Sequence, residues 1–207
     1  MKRKTGFTKR ELRLLAAKAE EQHERMRGAR FYRRLDFFIY LLAVVTVALA
    51  VRSFVFEPIR VDGSSMIPTL VHGERMLVEK IGYWFDSPGR GDIVICYYPG
   101  YTESCVKRVI GLPGETVSIE NGGVYIDGAP LDEQAYWTGE ITGALAPVQI
   151  GEKELFVMGD NRNGSKDSRD SSVGCIPYEK LVGRVRAVIW PLGNFVRFED
   201  VEYSYGS

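Results

Sequence analysis

The 207-residue chain has almost no histidine: His23 and His72 are its only two. It has three cysteines, Cys96, Cys105 and Cys175, and neither a GxxxxGK[ST] nor a GxGxxG stretch. Each scarcity removes a chemistry. Three cysteines and one histidine beyond the N-terminal arm do not make a zinc-ligand pattern, so neither a metal nor another cofactor is expected. The missing glycine motifs exclude the common phosphate- and dinucleotide-binding loops. A Ser-His-Asp triad would have to use His72, which stands in Leu70-Val71-His72-Gly73-Glu74, a turn sequence that reads as solvated surface. Net charge is absent too, with 27 basic residues against 27 acidic.

That balance conceals two unlike parts. Residues 1–34 carry twelve basic and four acidic side chains, and the remainder fifteen and twenty-three, so +8 is succeeded by −8. A basic arm of this kind suits nucleic acid or a membrane surface, and the adjoining segment of the chain decides between them. Residues 37–51 contain no charge. Arg52 interrupts, and the apolar run resumes to Phe56. As one helix, residues 37–56 would span about 30 Å, the thickness of a bilayer's hydrocarbon core. Arg52 is near the far end, where a long side chain reaches the headgroups. Arg25, Arg27, Arg30, Arg33 and Arg34 crowd the N-terminal flank, and only Arg60 lies close on the other side. The positive-inside rule then puts the N-terminus in the cytoplasm and residues 57–207 outside, with membrane lipid and not nucleic acid as the neighbour. Ala48-Leu49-Ala50 resembles a signal-peptide cleavage site, but apolar residues continue beyond it, as in an uncleaved anchor.

The expected organisation is a basic cytoplasmic arm (1–34), a transmembrane anchor (35–56) and an extracytoplasmic domain (57–207). In the arm, Thr8 and Glu11 form a capping-box pattern and Gly28 is the expected helix end. This helix reads equally as lying on the inner leaflet or as solvated. The external part is mainly β. Residues 117–128 alternate around Asn121-Gly122-Gly123, with a second turn at Asp127-Gly128, and residues 181–190 read as another strand. Trp190, Leu192 and Phe195 serve either as core or as lipid-facing aromatic surface. Cys96 and Cys105 flank an expected hairpin loop and read as a disulfide or as thiols, and oligomeric state is unassigned.

Two polar residues fit poorly as structure. Ser65, in Gly63-Ser64-Ser65-Met66-Ile67-Pro68-Thr69, lies in a turn that can aim its hydroxyl into a cleft and present backbone N–H groups to an oxyanion. Lys107 interrupts an apolar strand, where burial would lower its pKa and make it a base. Most such serines lie in plain loops, and a strand lysine also serves to guard a sheet edge. Spacing alone leaves both choices open.

Together the residues resemble the type I signal peptidases, the Ser–Lys proteases of the S26-like family, Gram-positive type. The resemblance rests on the anchor and five ordered motifs: Ser65-Met66-Ile67-Pro68-Thr69-Leu70, Arg90-Gly91-Asp92-Ile93-Val94, residues 107–115 (KRVIGLPGE), Gly159-Asp160-Asn161-Arg162, and Ser165-Lys166-Asp167-Ser168-Arg169. It implies the mainly β signal-peptidase fold shared with autoproteolytic repressors, behind a single N-terminal transmembrane α-helix. It also implies a membrane-bound serine endopeptidase that removes signal peptides from secretory preproteins after small residues. Ser65 would be the nucleophile and Lys107 the general base. Ser165 would orient the lysine ammonium, and Gly63 and Ser64 would shape the oxyanion site. Val61, Asp62, Met66 and Val106 would meet substrate. Arg108, Asp160, Arg162, Asp167 and Arg169 would hold the site's geometry, with Asp160 pairing Arg108. Two departures stand out: Gly63 where many Gram-negative members carry a serine, and residues 170–173 inserted before Gly174. A peptidase dedicated to pilus assembly and an inactive scaffold are the alternatives, and the second is disfavoured because both Ser65 and Lys107 are present.

Overall fold

The computed structural model describes residues 9–198 and divides into two units, residues 1–51 and 52–207. Among the described residues of the first, helix α1 runs Lys9–Ala50, and a π-helical turn follows in the chain at Val51–Val55. Thr8 of the expected capping box lies outside the described residues. The expected stop at Gly28 is not made. One glycine costs a helix interior only about 1 kcal/mol relative to alanine, and good helix formers surround this one. Among the described residues no helix is long and apolar enough to cross a membrane. The uncharged part of α1, residues 37–50, covers only about 21 Å before α-helical winding ends.

Among its described residues the second unit has twelve strands: β1 Phe56–Arg60, β2 Arg75–Glu79, β3 Ile93–Tyr97, β4 Ser104–Gly111, β5 Thr116–Glu120, β6 Gly123–Ile126, β7 Ala129–Pro130, β8 Leu145–Gln149, β9 Glu154–Met158, β10 Ile176–Pro177, β11 Leu181–Trp190 and β12 Val196–Arg197. Its α-helical content among those residues is a four-residue turn, Gly82–Phe85. One sheet runs β1-β2-β11-β3-β4-β9-β10, with β12 beside β11, and a second runs β7-β6-β5-β8. All their registered pairs are antiparallel.

Local chemistry sets the turns. At Asn121-Gly122 both residues have positive φ (51° and 76°), and the same holds at Asp127-Gly128 (50° and 81°). Left-handed backbone at two consecutive positions suits the twist of tight hairpins, and asparagine, aspartate and glycine bear it most cheaply. Strand β4 lies where three apolar clusters meet. Val106 packs against Val61, Met66 and Ile95, while Ile110 joins Ile119 and Phe156, and Val109 joins Val94 and Val157. From Lys107 to Gly111 every residue of the strand is buried, on both faces. The aromatic stretch after β11 is different: Trp190, Leu192 and Phe195 are exposed, so the core reading of these residues does not hold.

Strand β11 crosses β2 with register shifts at Val185/Ala187 and Val188/Trp190. At Gly183 a Cβ would collide with the Glu79 carbonyl oxygen and stand 3.0 Å from Val78 Cγ1. Backbone cannot swing aside as a side-chain tip can. Gly183→Ala is therefore expected to lower stability by about 1–3 kcal/mol, the usual cost of overpacking. Denaturant unfolding of the detergent-solubilised chain measures it, and an unchanged midpoint would remove Gly183 as a packing constraint.

Candidate active site

Beyond β1 the chain turns through residues 61–70. Val61 is buried, its N–H donating to Glu74 O (2.8 Å) and its carbonyl accepting from Gly73 N–H (3.0 Å). Gly63 adopts φ +98°, which its lack of Cβ makes inexpensive, and its N–H donates to His72 Nδ1 at 3.2 Å. Met66 and Leu70 sink into the core, while the Met66 carbonyl accepts from Leu70 N–H. These anchors leave Ser65 half-buried at the top of the turn. The loop after β9 clasps it from the other side. Asn161 N–H donates to Ser65 O at 3.0 Å, and Asn161 Nδ2 donates to Ser64 O at 3.1 Å. A Cβ at Gly159 would strike the Ser65 carbonyl and the Ser165 hydroxyl, so glycine here lets two backbones meet.

Lys107 reaches this turn from β4. The residue is 3% exposed, and Nζ is 2.8 Å from Ser65 Oγ and 2.9 Å from Val106 O. Among the described residues no carboxylate pairs with it. Burial pushes the Lys107 pKa below the ordinary lysine value, and the nearby Cys105, Asp167, Cys96 and Asp160 oppose that shift only in part. An amine that can be neutral, within hydrogen-bond reach of a serine hydroxyl, is equipped to take its proton.

The neighbouring acids are occupied elsewhere. Asp160, fully buried, receives Arg108 Nε (2.8 Å) and Nη2 (2.7 Å), and also accepts from Thr69 Oγ1. Arg108 lies 4.1 Å from the centre of the Tyr136 ring. Asp167 accepts Gly159 N–H (2.9 Å) and binds Arg169 through both oxygens (2.7 and 2.8 Å). Arg162 finds its acid outside the motif, in a two-pronged 2.6 Å pair with Glu133. Removing one member of such a buried pair leaves an uncompensated charge at a cost of about 3–5 kcal/mol.

Of the sequence-derived residues, Ser65, Lys107, Gly63, Ser64 and Val106 converge at one place, with Arg108, Asp160, Asp167 and Arg169 pairing around it. Val61 and Met66 are core residues of the supporting turn, whereas Asp62 is exposed. Ser165 requires a correction: its Oγ donates to Lys166 O at 3.4 Å and makes no hydrogen bond to Lys107. The lysine turns instead to the carbonyl of Val106. Sequence reasoning missed Glu133, Thr69 and Asn161. Thr69 and Asn161 carried a signal, as members of quoted motifs without an assigned role, and Glu133 carried none. Among the described residues no cluster of three metal-ligating side chains occurs.

The family model for signal peptidase, peptidase S26, matches residues 34–190. A probable signal peptidase I-1 of Synechocystis is 40% identical over 163 residues, covering 75% of this chain and 82% of that protein. Signal peptidase I T of Bacillus subtilis is likewise 40% identical over 163 residues, covering 74% of this chain and 84% of its own. A crystal structure of signal peptidase I from Enterococcus faecalis aligns with a TM-score of 0.42 at 29% identity, over 48% of this chain and 97% of that one. With most of its length matched at this level, the chain belongs to the signal peptidase family, peptidase S26.

Proposed function

We propose that this protein is a signal peptidase I, a serine endopeptidase that removes N-terminal signal peptides from secretory preproteins through a Ser65–Lys107 dyad. The 2.8 Å approach of a buried lysine amine to a serine hydroxyl carries the reading. Neutral Lys107 takes the proton of Ser65 as Oγ adds to the scissile carbonyl, then returns it to the leaving amine. The acyl-enzyme so formed is hydrolysed by water, with Lys107 again the base. The Ser65 backbone N–H serves the oxyanion, since that of Gly63 already donates to His72.

Substrate enters as an added strand. Beyond Arg60 the chain leaves β1, the end strand of its sheet, and residues 104–107 of β4 have no registered partner on the β9 side, where pairing begins at Arg108. An extended peptide between these two edges gains backbone hydrogen bonds. Val61, Asp62, Met66 and Val106 border it, and the shallow apolar floor at Val61 and Val106 takes small side chains such as alanine. The anchor is the run 37–56, in which the π-turn prolongs the apolar part of α1. The N-terminus is then cytoplasmic, with the catalytic unit held outside beside the emerging cleavage sites.

Ser65→Ala and Lys107→Ala are each expected to lower preprotein cleavage at least about 10³-fold, as loss of a nucleophile or base does in other serine proteases. Near-normal turnover by either would sink the dyad. Because only neutral Lys107 is a base, kcat/KM should rise with pH through the depressed lysine pKa and level off above it. A profile flat from mildly acidic to alkaline pH contradicts this. The full chain should stay with the membrane through an alkaline carbonate wash, and its release there would overturn the anchor.

A further inference from the structure

We propose that Cys96 and Cys105 are a redox modification site, closing reversibly into a disulfide across the β3–β4 hairpin and thereby changing the charge beside Lys107. The inference rests on Lys107 being the base. It starts from register: Cys96 stands directly opposite Cys105, and Val94 opposite Lys107. Side chains two apart on a strand share a face, so both sulfurs and the lysine side chain leave the hairpin on the same side. Opposed residues in antiparallel strands have Cα atoms about 4.5–5.5 Å apart, inside the range a disulfide spans. The two sulfurs are already 3.5 Å apart, and both residues are thiols.

The two thiols differ in the way exchange requires. Cys96 is wholly buried, whereas Cys105 is only partly so. The hydrogen bond from Cys96 together with the charge of Lys107 draws the Cys105 thiol down to about 7, while donating that bond, along with burial, pushes Cys96 up. Cys175, packed against a different cluster, that of Ile110 and Phe156, is raised to about 11 by burial and has no such partner for its thiolate among the described residues. The Cys105 thiolate attacks one sulfur of a small disulfide such as oxidised glutathione and displaces a thiolate. Cys96 then gives up its proton to water, attacks the Cys105 sulfur of the mixed disulfide and displaces the second thiolate. Two cysteines are oxidised, one small disulfide is reduced to two thiols, and the released thiolates take up protons.

The charges around Lys107 determine what closure does to it. From β3 and β4 the titratable neighbours are Cys96 and Cys105, and from the loop after β9 they are Asp160 and Asp167. The two aspartates are held by Arg108 and Arg169, and the Tyr98 hydroxyl donates to Lys166 O. Cys105 is therefore an ionisable neighbour without an arginine, and its thiolate form favours the ammonium. A disulfide carries no charge. Closing it frees Lys107 to be neutral at lower pH.

The test uses the full-length chain in detergent, equilibrated with reduced and oxidised glutathione mixtures. Peptide mass spectrometry after alkylation is expected to find a Cys96–Cys105 cross-link in the oxidised protein and free Cys175 throughout. The pH dependence of Lys107 acylation, read by the same method without substrate, should move down by about 0.5–1 unit on oxidation. Preprotein cleavage on the acidic limb should rise about three- to tenfold with it, and dithiothreitol should reverse both. Cys105→Ser should abolish the response, and Cys175→Ser should keep it. Absence of the cross-link under full oxidation, or a cross-link that leaves the Lys107 titration in place or raises it, overturns the proposal. Failure of the dyad would show separately, as cleavage surviving Ser65→Ala.

Discussion

The site depends on burying a lysine amine without giving it a carboxylate. An ammonium taken out of water either finds an anion or sheds its proton, because desolvation disfavours the charged form. Asp160 and Asp167 both lie close enough to Lys107 to influence it, and either one unpaired would hold it as a cation. Each is instead bound through both oxygens by an arginine that remains charged throughout. Arg108 and Arg169 therefore do more than brace loops. They occupy the acids, so that the lysine's nearest contacts are a hydroxyl and a carbonyl, neither of which stabilises the ammonium as a carboxylate would.

The same logic explains why the dyad sits on these elements. Lys107 is buried because β4 threads between three apolar clusters, an environment settled by strand order and not by the lysine itself. Ser65 is brought to it by a turn whose flanking residues, Val61, Met66 and Leu70, are in the core. Gly159 admits the Ser65 backbone, and Asn161 ties it down. The nucleophile is thus held by main-chain hydrogen bonds on both sides of its peptide unit. Its hydroxyl is left to the Lys107 amine, as a group that must form and break a covalent bond requires.

Features that depend on nearby residues were legible in the sequence. The paired left-handed turns at Asn121-Gly122 and Asp127-Gly128, strand β11 over its full ten residues, and a lysine misplaced in an apolar strand are all local signals. The Asp160–Arg108 pair was legible through motif resemblance alone, since 52 positions separate its members. Glu133 was not, because it lies in an irregular segment 29 residues before Arg162 and nothing in its neighbourhood marks it as buried. The continuity of α1 through Gly28 was misjudged for a simple reason. A glycine ends a helix only when the chain has somewhere else to go, and its intrinsic cost is outweighed by the helix formers around it. The direction of the Ser165 hydroxyl is a single torsion, which residue type does not determine.

Cys96 and Cys105 show where sequence and geometry have to be combined. Eight residues between two cysteines suggest a hairpin, but they do not say whether the pair faces the base or turns away from it. The register decides for Cys96, because sliding β3 by a single residue would carry its side chains to the opposite face and leave Cys105 and Lys107 without the second sulfur. With Cys105 two positions before Lys107 on the same strand, the thiol shares the amine's face of the hairpin. A thiol differs from the arginine-bound aspartates in one respect: its charge can be removed by oxidation as well as by protonation. Of the groups that set the state of Lys107, the aspartates are fixed by their arginines, and the sulfur pair is the element of the surround that remains adjustable.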